Sequence, residues 1–91
     1  MGFFGNTRPY ISKEEWLKIR NNLYSVHNFS IIELDRAEDI FRGDMDEDDV
    51  NYGIDTKELS KGIQYMKEHT NIHHISLEKI TILEAEMMKY L

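Results

Sequence analysis

The chain has 91 residues, of which 41% are apolar and 31% are charged, and it contains no cysteine. This length suits one domain with one core and is too short to enclose a deep cleft, which disfavours a buried multi-residue active site. The lack of cysteine excludes disulfides and thiolate metal sites, and no apolar run reaches the ~18 residues that cross a bilayer. We therefore expect a cytoplasmic protein without a membrane segment.

The net charge of −6 originates in one part of the chain. Residues 44–58 contain seven acidic residues and one base, Lys57, whereas residues 1–43 and residues 59–91 each sum to zero. Such a segment repels the phosphates of nucleic acids and attracts cations or a basic partner.

One short pattern occurs four times and predicts the start of a helix each time. An apolar residue is followed by Ser or Asp, two free positions, Glu or Lys, and a second apolar residue. The Ser or Asp oxygen accepts from the first-turn N–H groups, the acidic residue reaches back, and the apolar pair packs together. The predicted caps are Ser12, Ser30, Asp55 and Ser76.

Taken in chain order, the elements begin with an N-terminal arm over residues 1–10. Helices are expected at about residues 13–25, 31–42, 56–69 and 77–90, with an acidic loop over residues 44–53. Gly43 is a plausible end for the second helix, and Gly62 in the third suggests a close helix crossing. The inward-facing residues are predicted to be Trp16, Ile19, Leu23, Val26, Leu34, Ala37, Phe41, Leu59, Ile63, Met66, Leu77, Ile80, Leu83, Met87 and Leu91.

These elements predict an all-α fold, with a single four-helix domain over residues 11–91. Residues 11–43 and residues 54–91 would form two related antiparallel hairpins. The first helices of the two halves align at an offset of 43 and the second helices at an offset of 46, with the difference in the interhelical turn. The alternative is that any two capped amphipathic helices align this well.

The acidic loop and its flanks provide the candidate for cation binding. The stretch from Glu33 to Phe41, followed by the stretch from Gly53 to Leu59, resembles the EF-hand, a helix–loop–helix that binds Ca²⁺, over about residues 33–67. This resemblance implies Glu58 as the last ligand, Ile54 at the apolar position, and oxygen ligands from Glu47, Asp49, Asn51 and Asp55. Tyr52 stands where that family has glycine. The competing interpretation is a solvated acidic linker followed by the third helix cap.

Three histidines near the third interhelical turn are a second candidate metal site. His69, His73 and His74 are close in sequence, and imidazole is a zinc ligand. The alternative is that they are ordinary loop histidines, with His69 favourably placed at a helix C-terminus.

The last helix is apolar around more than one face. Besides its inward stripe it carries Ile82, Met88 and Tyr90, which are either core residues or a surface for a protein partner or for self-association.

Since no catalytic motif is present, the sequence predicts a small non-catalytic interaction or adaptor module. The alternatives are an EF-hand-like Ca²⁺ binder and, against the acidic charge of its second helix, a helix-turn-helix protein that binds nucleic acid.

Overall fold

The computed structural model describes residues 10–45 and residues 53–91, without the side chains of residues 43–45. Over these residues the chain is mostly helical, as the sequence predicts. The elements in order are β1 (Tyr10–Ile11), α1 (Lys13–Ser25), α2 (Ile31–Met45), β2 (Ile54–Asp55), α3 (Thr56–Glu68), α4 (Thr70–His73) and α5 (Leu77–Met88).

All four predicted caps are present. At the start of α1, Ser12 Oγ accepts from the Glu15 amide at 3.2 Å, and the Glu15 carboxylate accepts from the Ser12 amide at 2.9 Å. The same reciprocal pairs occur at the start of α2 and of α3. At α5, Ser76 Oγ accepts from the Lys79 amide at 3.2 Å. Each cap is worth about 1 kcal/mol.

One hydrophobic core joins the helices. It contains most of the predicted inward positions together with the apolar residues that precede the caps, Ile11, Phe29, Ile54 and Ile75. Helix α5 packs on both α3 and α1, and α2 packs on α1 and α3. Two predicted inward positions are wrong, because Val26 is 66% exposed and Leu77 is 58% exposed. Both lie at helix ends, where the chain turns away from the core.

A short antiparallel sheet, which the sequence patterns do not predict, connects the starts of α1 and α3. Ile11 of β1 pairs with Ile54 of β2, and both side chains are fully buried. Gly53 precedes β2 with φ of +126°, and a Cβ there would lie 2.8 Å from the Ile11 carbonyl oxygen. This position therefore requires glycine.

Helix boundaries differ from the prediction in α2, in α3 and in α5, the last of which ends at Met88. Helix α2 continues through Gly43 to Met45. Helix α3 ends at Glu68, and the separate turn α4 follows it. Gly62 does mark a close crossing, because a Cβ at this position would collide with the ring of Phe41 on α2.

Candidate functional site

An apolar groove runs between α1 and α2. Leu17 and Tyr24 lie two turns apart on α1, and Ile31 begins α2; their exposed fractions are 60%, 54% and 51%. Buried Leu34 lines the same groove, which has a volume of about 460 Å³. Nine large apolar side chains are exposed in the described part of the chain, and five lie between residues 17 and 32, namely Leu17, Tyr24, Val26, Ile31 and Ile32.

Charged side chains fix the walls of this groove relative to each other. Arg20 of α1 donates to Asp35 at 2.6 Å and to Glu38 at 2.7 Å, both on α2. Trp16 Nε1 also donates to Glu38, at 2.9 Å. Desolvation opposes the charge on Arg20, but the hydrogen bonds and charges of the two carboxylates outweigh it and raise the pKa of Arg20. These contacts therefore connect the two helices that form the groove.

The unpaired charge in the lining of this groove is positive. Its lining includes Lys18 and Arg20 and no carboxylate. Arg20 is paired with two carboxylates, whose charges together exceed its own, whereas Lys18 makes no ion pair with any residue that the structure describes. A ligand in this groove would meet apolar side chains and one unpaired ammonium group.

A second groove, between α2 and α3, is more polar. It has a volume of about 660 Å³ and is lined by Asp39, Ile40, Glu58, Lys61, Gly62 and Tyr65. Asp39 is engaged with Arg42 at 2.7 Å, and Tyr65 stacks on His69 with ring centroids 4.1 Å apart. This mixture of committed charges gives no clear apolar anchor for a ligand.

The predicted calcium ligands are only partly within the described residues. Asp55 and Glu58 lie at the start of α3, where each carboxylate accepts from the other residue's amide, at 2.8 and 3.0 Å. They serve as helix caps in this structure. Glu47, Asp49 and Asn51 lie outside the described residues. Among the described residues, no three His, Asp or Glu side chains are placed to hold one metal ion.

The three histidines of the predicted zinc site do not form a ligand set. His73 is buried, and both ring nitrogens are engaged, Nδ1 by the Ile75 amide at 3.0 Å and Nε2 by the Met66 carbonyl at 2.7 Å. His69 Nδ1 lies 2.8 Å from the Tyr65 carbonyl oxygen. His74 is exposed, and its backbone has the left-handed conformation. Since His73 has no lone pair left, it cannot ligate zinc without losing a buried hydrogen bond.

A cluster of polar side chains surrounds the buried carboxylate of Glu86 on α5, and the sequence patterns do not predict it. Glu86 is 8% exposed and accepts from Asn22 at 2.6 Å, lies 3.1 Å from His27 Nε2, and pairs with Lys89 at 3.0 Å. Burial opposes its charge, but these hydrogen bonds and the Lys89 charge hold the pKa of Glu86 below its ordinary value. A carboxylate that orients a histidine also occurs in catalytic dyads, but no described hydroxyl contacts this ring.

The predicted partner surface on α5 is divided. Ile82 and Tyr90 are partly buried and pack against the core, whereas Met88 is 47% exposed. The three side chains therefore do not form one continuous exposed patch. The sequence patterns did not identify Leu17 and Tyr24 as exposed apolar residues. Their seven-residue spacing, which puts both on one face of the helix, together with Ile31 at the start of the next helix, could have indicated them.

Comparison with protein-family models, with curated proteins and with solved structures gives no match to this chain. Within the described ranges, no helix combines the length and the apolar character that crossing a bilayer requires.

Proposed function

We propose that this protein is a small non-catalytic interaction module and that the α1–α2 groove is its docking surface. The observation that carries the proposal is the concentration of Leu17, Tyr24 and Ile31 around one groove, each more than half exposed. Exposing large apolar side chains together is unfavourable in water unless a partner covers them. The predicted cytoplasmic location belongs to this same proposal.

The groove is suited to one amphipathic helix of a protein partner. Its length is set by two turns of α1 between Leu17 and Tyr24, which matches the spacing of anchors on a helix that binds in a groove. Lys18 supplies an unpaired positive charge beside these anchors, and the lining carries no carboxylate. We therefore assign the partner segment an apolar stripe flanked by an acidic residue.

We also propose that the four longer helices form two related hairpins. In support, the two strands that pair, at Ile11 and Ile54, are equivalent at the offset of 43. The residues at positive φ, Asn28 and His74, are equivalent at the offset of 46. Each lies two residues before a serine cap. The sheet and the turns therefore repeat with the same offsets as the helices.

The docking proposal is tested with a synthetic helical peptide of about 15 residues, carrying Leu at positions i, i+4 and i+7 and a flanking Glu. We expect it to bind the full chain in fluorescence anisotropy, and Leu17→Glu to weaken binding at least about tenfold. Met88→Glu is the matched control on α5 and should leave binding unchanged.

Three outcomes would contradict this proposal. They are the absence of binding, an equal loss from both variants, or unchanged binding after Leu17→Glu. Sedimentation of the free chain separates self-association from partner binding, since a dimer that Leu17→Glu dissolves would assign the groove to a second copy instead.

The second candidate is EF-hand-like Ca²⁺ binding by the segment between α2 and α3. Its favouring observation is that Ile54, at the predicted apolar position, is buried and paired with Ile11, so the segment ends on a fixed strand. Asp55 and Glu58 would then hold the cation from the start of α3, together with Glu47, Asp49 and Asn51.

This candidate has a matched control in the chain itself. A micromolar site in millimolar Ca²⁺ adds about 4 kcal/mol to the stability of the folded state. We expect Glu58→Gln to abolish that increase and Glu15→Gln, in the equivalent capping box of α1, to preserve it. Identical melting curves in Ca²⁺ and in chelator would eliminate the candidate.

A further inference from the structure

The ring of His73 connects the end of one helix to the start of another. Its Nε2 lies 2.7 Å from the carbonyl oxygen of Met66, in the last turn of α3. Its Nδ1 lies 3.0 Å from the amide of Ile75, two residues before the first residue of α5. His73 is 5% exposed, and Met66 and Ile75 are fully buried. Both hydrogen bonds are therefore shielded from water.

These two bonds define the protonation state of the ring. The Ile75 amide can only donate, so Nδ1 must present a lone pair. The neutral ring then carries its hydrogen on Nε2, which donates to the Met66 carbonyl. A second proton on Nδ1 would place two donors against each other, and the bond from Ile75 would have to break.

Charged and titratable groups reach the surroundings of this ring from α2, α3, α5 and the turn itself. From α2, Arg36 donates to the His73 carbonyl at 2.9 Å, which places a cation beside the His73 backbone. From α3, Glu68 accepts from Gln64, and from α5, Lys79 pairs with Glu33. On the same turn lie His69 and His74. No carboxylate of the described residues forms an ion pair with the His73 ring.

We propose that His73 makes the junction between α3 and α5 an acid-sensitive switch, in which uptake of one proton releases the Ile75 amide and separates the start of α5 from the end of α3. This device is independent of the docking proposal. In the unfolded chain a histidine takes up its proton near pH 6.5. In the closed junction the Ile75 amide occupies Nδ1, so a second proton can bind there only after that bond breaks, and acid therefore favours the open form.

The test is amide hydrogen exchange of the full chain at pH 7.5 and pH 5.5, corrected for the intrinsic pH dependence of exchange. We expect the protection of the Ile75 amide to fall about tenfold relative to that of Leu59, which is buried in α3 away from this junction. In His73→Gln, which retains a donor and an acceptor and does not titrate, the ratio should not change with pH. His69→Gln and His74→Gln should behave like the natural chain.

A constant ratio in the natural chain would overturn the proposal, as would an acid-induced fall that persists in His73→Gln. Long-range nitrogen–proton NMR of the natural chain supplies an independent test if the variant fails to fold. The proton is expected on Nε2 of His73 at pH 7.5, and a proton found on Nδ1 would overturn the proposal.

Discussion

The junction between α1 and α2 and the junction between α3 and α5 connect their helices through different hydrogen bonds. Between α1 and α2, the amide of Phe29 donates directly to the carbonyl of Leu23 at 3.1 Å. The corresponding groups between α3 and α5 are the Ile75 amide and the Met66 carbonyl, and the His73 ring bonds both of them. This junction has three more residues and includes the additional four-residue turn α4. The imidazole thus connects two groups whose counterparts bond directly in the shorter junction.

The supporting contacts of the two junctions differ in charge as well. Around the first, Lys79 of α5 donates to Glu33 at 2.8 Å and to the Asn28 carbonyl at 3.4 Å, and Glu86 of α5 contacts His27. At the second, the His73 ring bonds both sides of the junction, and Arg36 donates to the His73 carbonyl. The first junction should therefore respond to salt and to titration of Glu33 and Glu86, whose pKa values are lowered, and the second to the state of the His73 ring proposed above.

The largest effect is expected from His73→Leu. This change leaves the Ile75 amide buried without a partner, at a cost of about 1–3 kcal/mol, and removes one of the two bonds that the Met66 carbonyl accepts, worth about 0.5–1.5 kcal/mol. We expect a loss of about 2–4 kcal/mol in the free energy of unfolding, measured by urea denaturation at pH 7.5. His69→Leu, on the exposed side of the same turn, should lose less than about 1 kcal/mol. Equal losses would show that the ring does not connect the helices.

Next in size is Glu86→Gln, which removes the charge shared by His27 and Lys89. We expect a loss of about 1–3 kcal/mol at pH 7. Because the folded-state pKa of Glu86 is lowered, its contribution is complete above the unfolded value and is lost as the pH falls through the lowered folded-state value. The variant should show a shallower acid dependence than the natural chain, whereas Glu84→Gln should not. Parallel acid profiles would refute this assignment.

A smaller effect is expected from Lys79→Met. Burial opposes the charge of Glu33, but its bonds to Lys79 and to Ser30 hold the pKa of Glu33 below its ordinary value. The pair is partly exposed, so we expect a loss of about 0.5–1 kcal/mol in low salt that shrinks in 1 M NaCl. Lys61→Met serves as the control. A loss independent of salt would assign the effect to packing of the lysine chain on Phe29.

The smallest effect on stability is expected at the groove. Leu17 is 60% exposed, so Leu17→Gln should change the free energy of unfolding by less than about 0.5 kcal/mol. Thermal or urea denaturation measures this directly. A larger loss would show that Leu17 stabilises the α1–α2 pair itself, and the groove would then be part of the core.

Local signals predicted the parts of the fold that local physics determines. The caps at Ser12, Ser30, Asp55 and Ser76 and the inward stripes of the helices follow from spacing within one element. The β1–β2 pair, the roles of His73 and Glu86, and the groove each require two elements that are distant in sequence. Periodicity along a single helix cannot report such contacts, which is why the sequence predicts a partner surface at Met88 and not at Leu17.

The most direct test of the account is NMR shift mapping of the full chain with the helical Leu/Glu peptide. The α1–α2 groove predicts that the amide signals of Leu17, Tyr24 and Ile31 shift together as the peptide is added, while that of Met88 stays constant. Shifts centred on Met88 and α5, with the signals of α1 unchanged, would contradict the proposal that this groove is the docking surface.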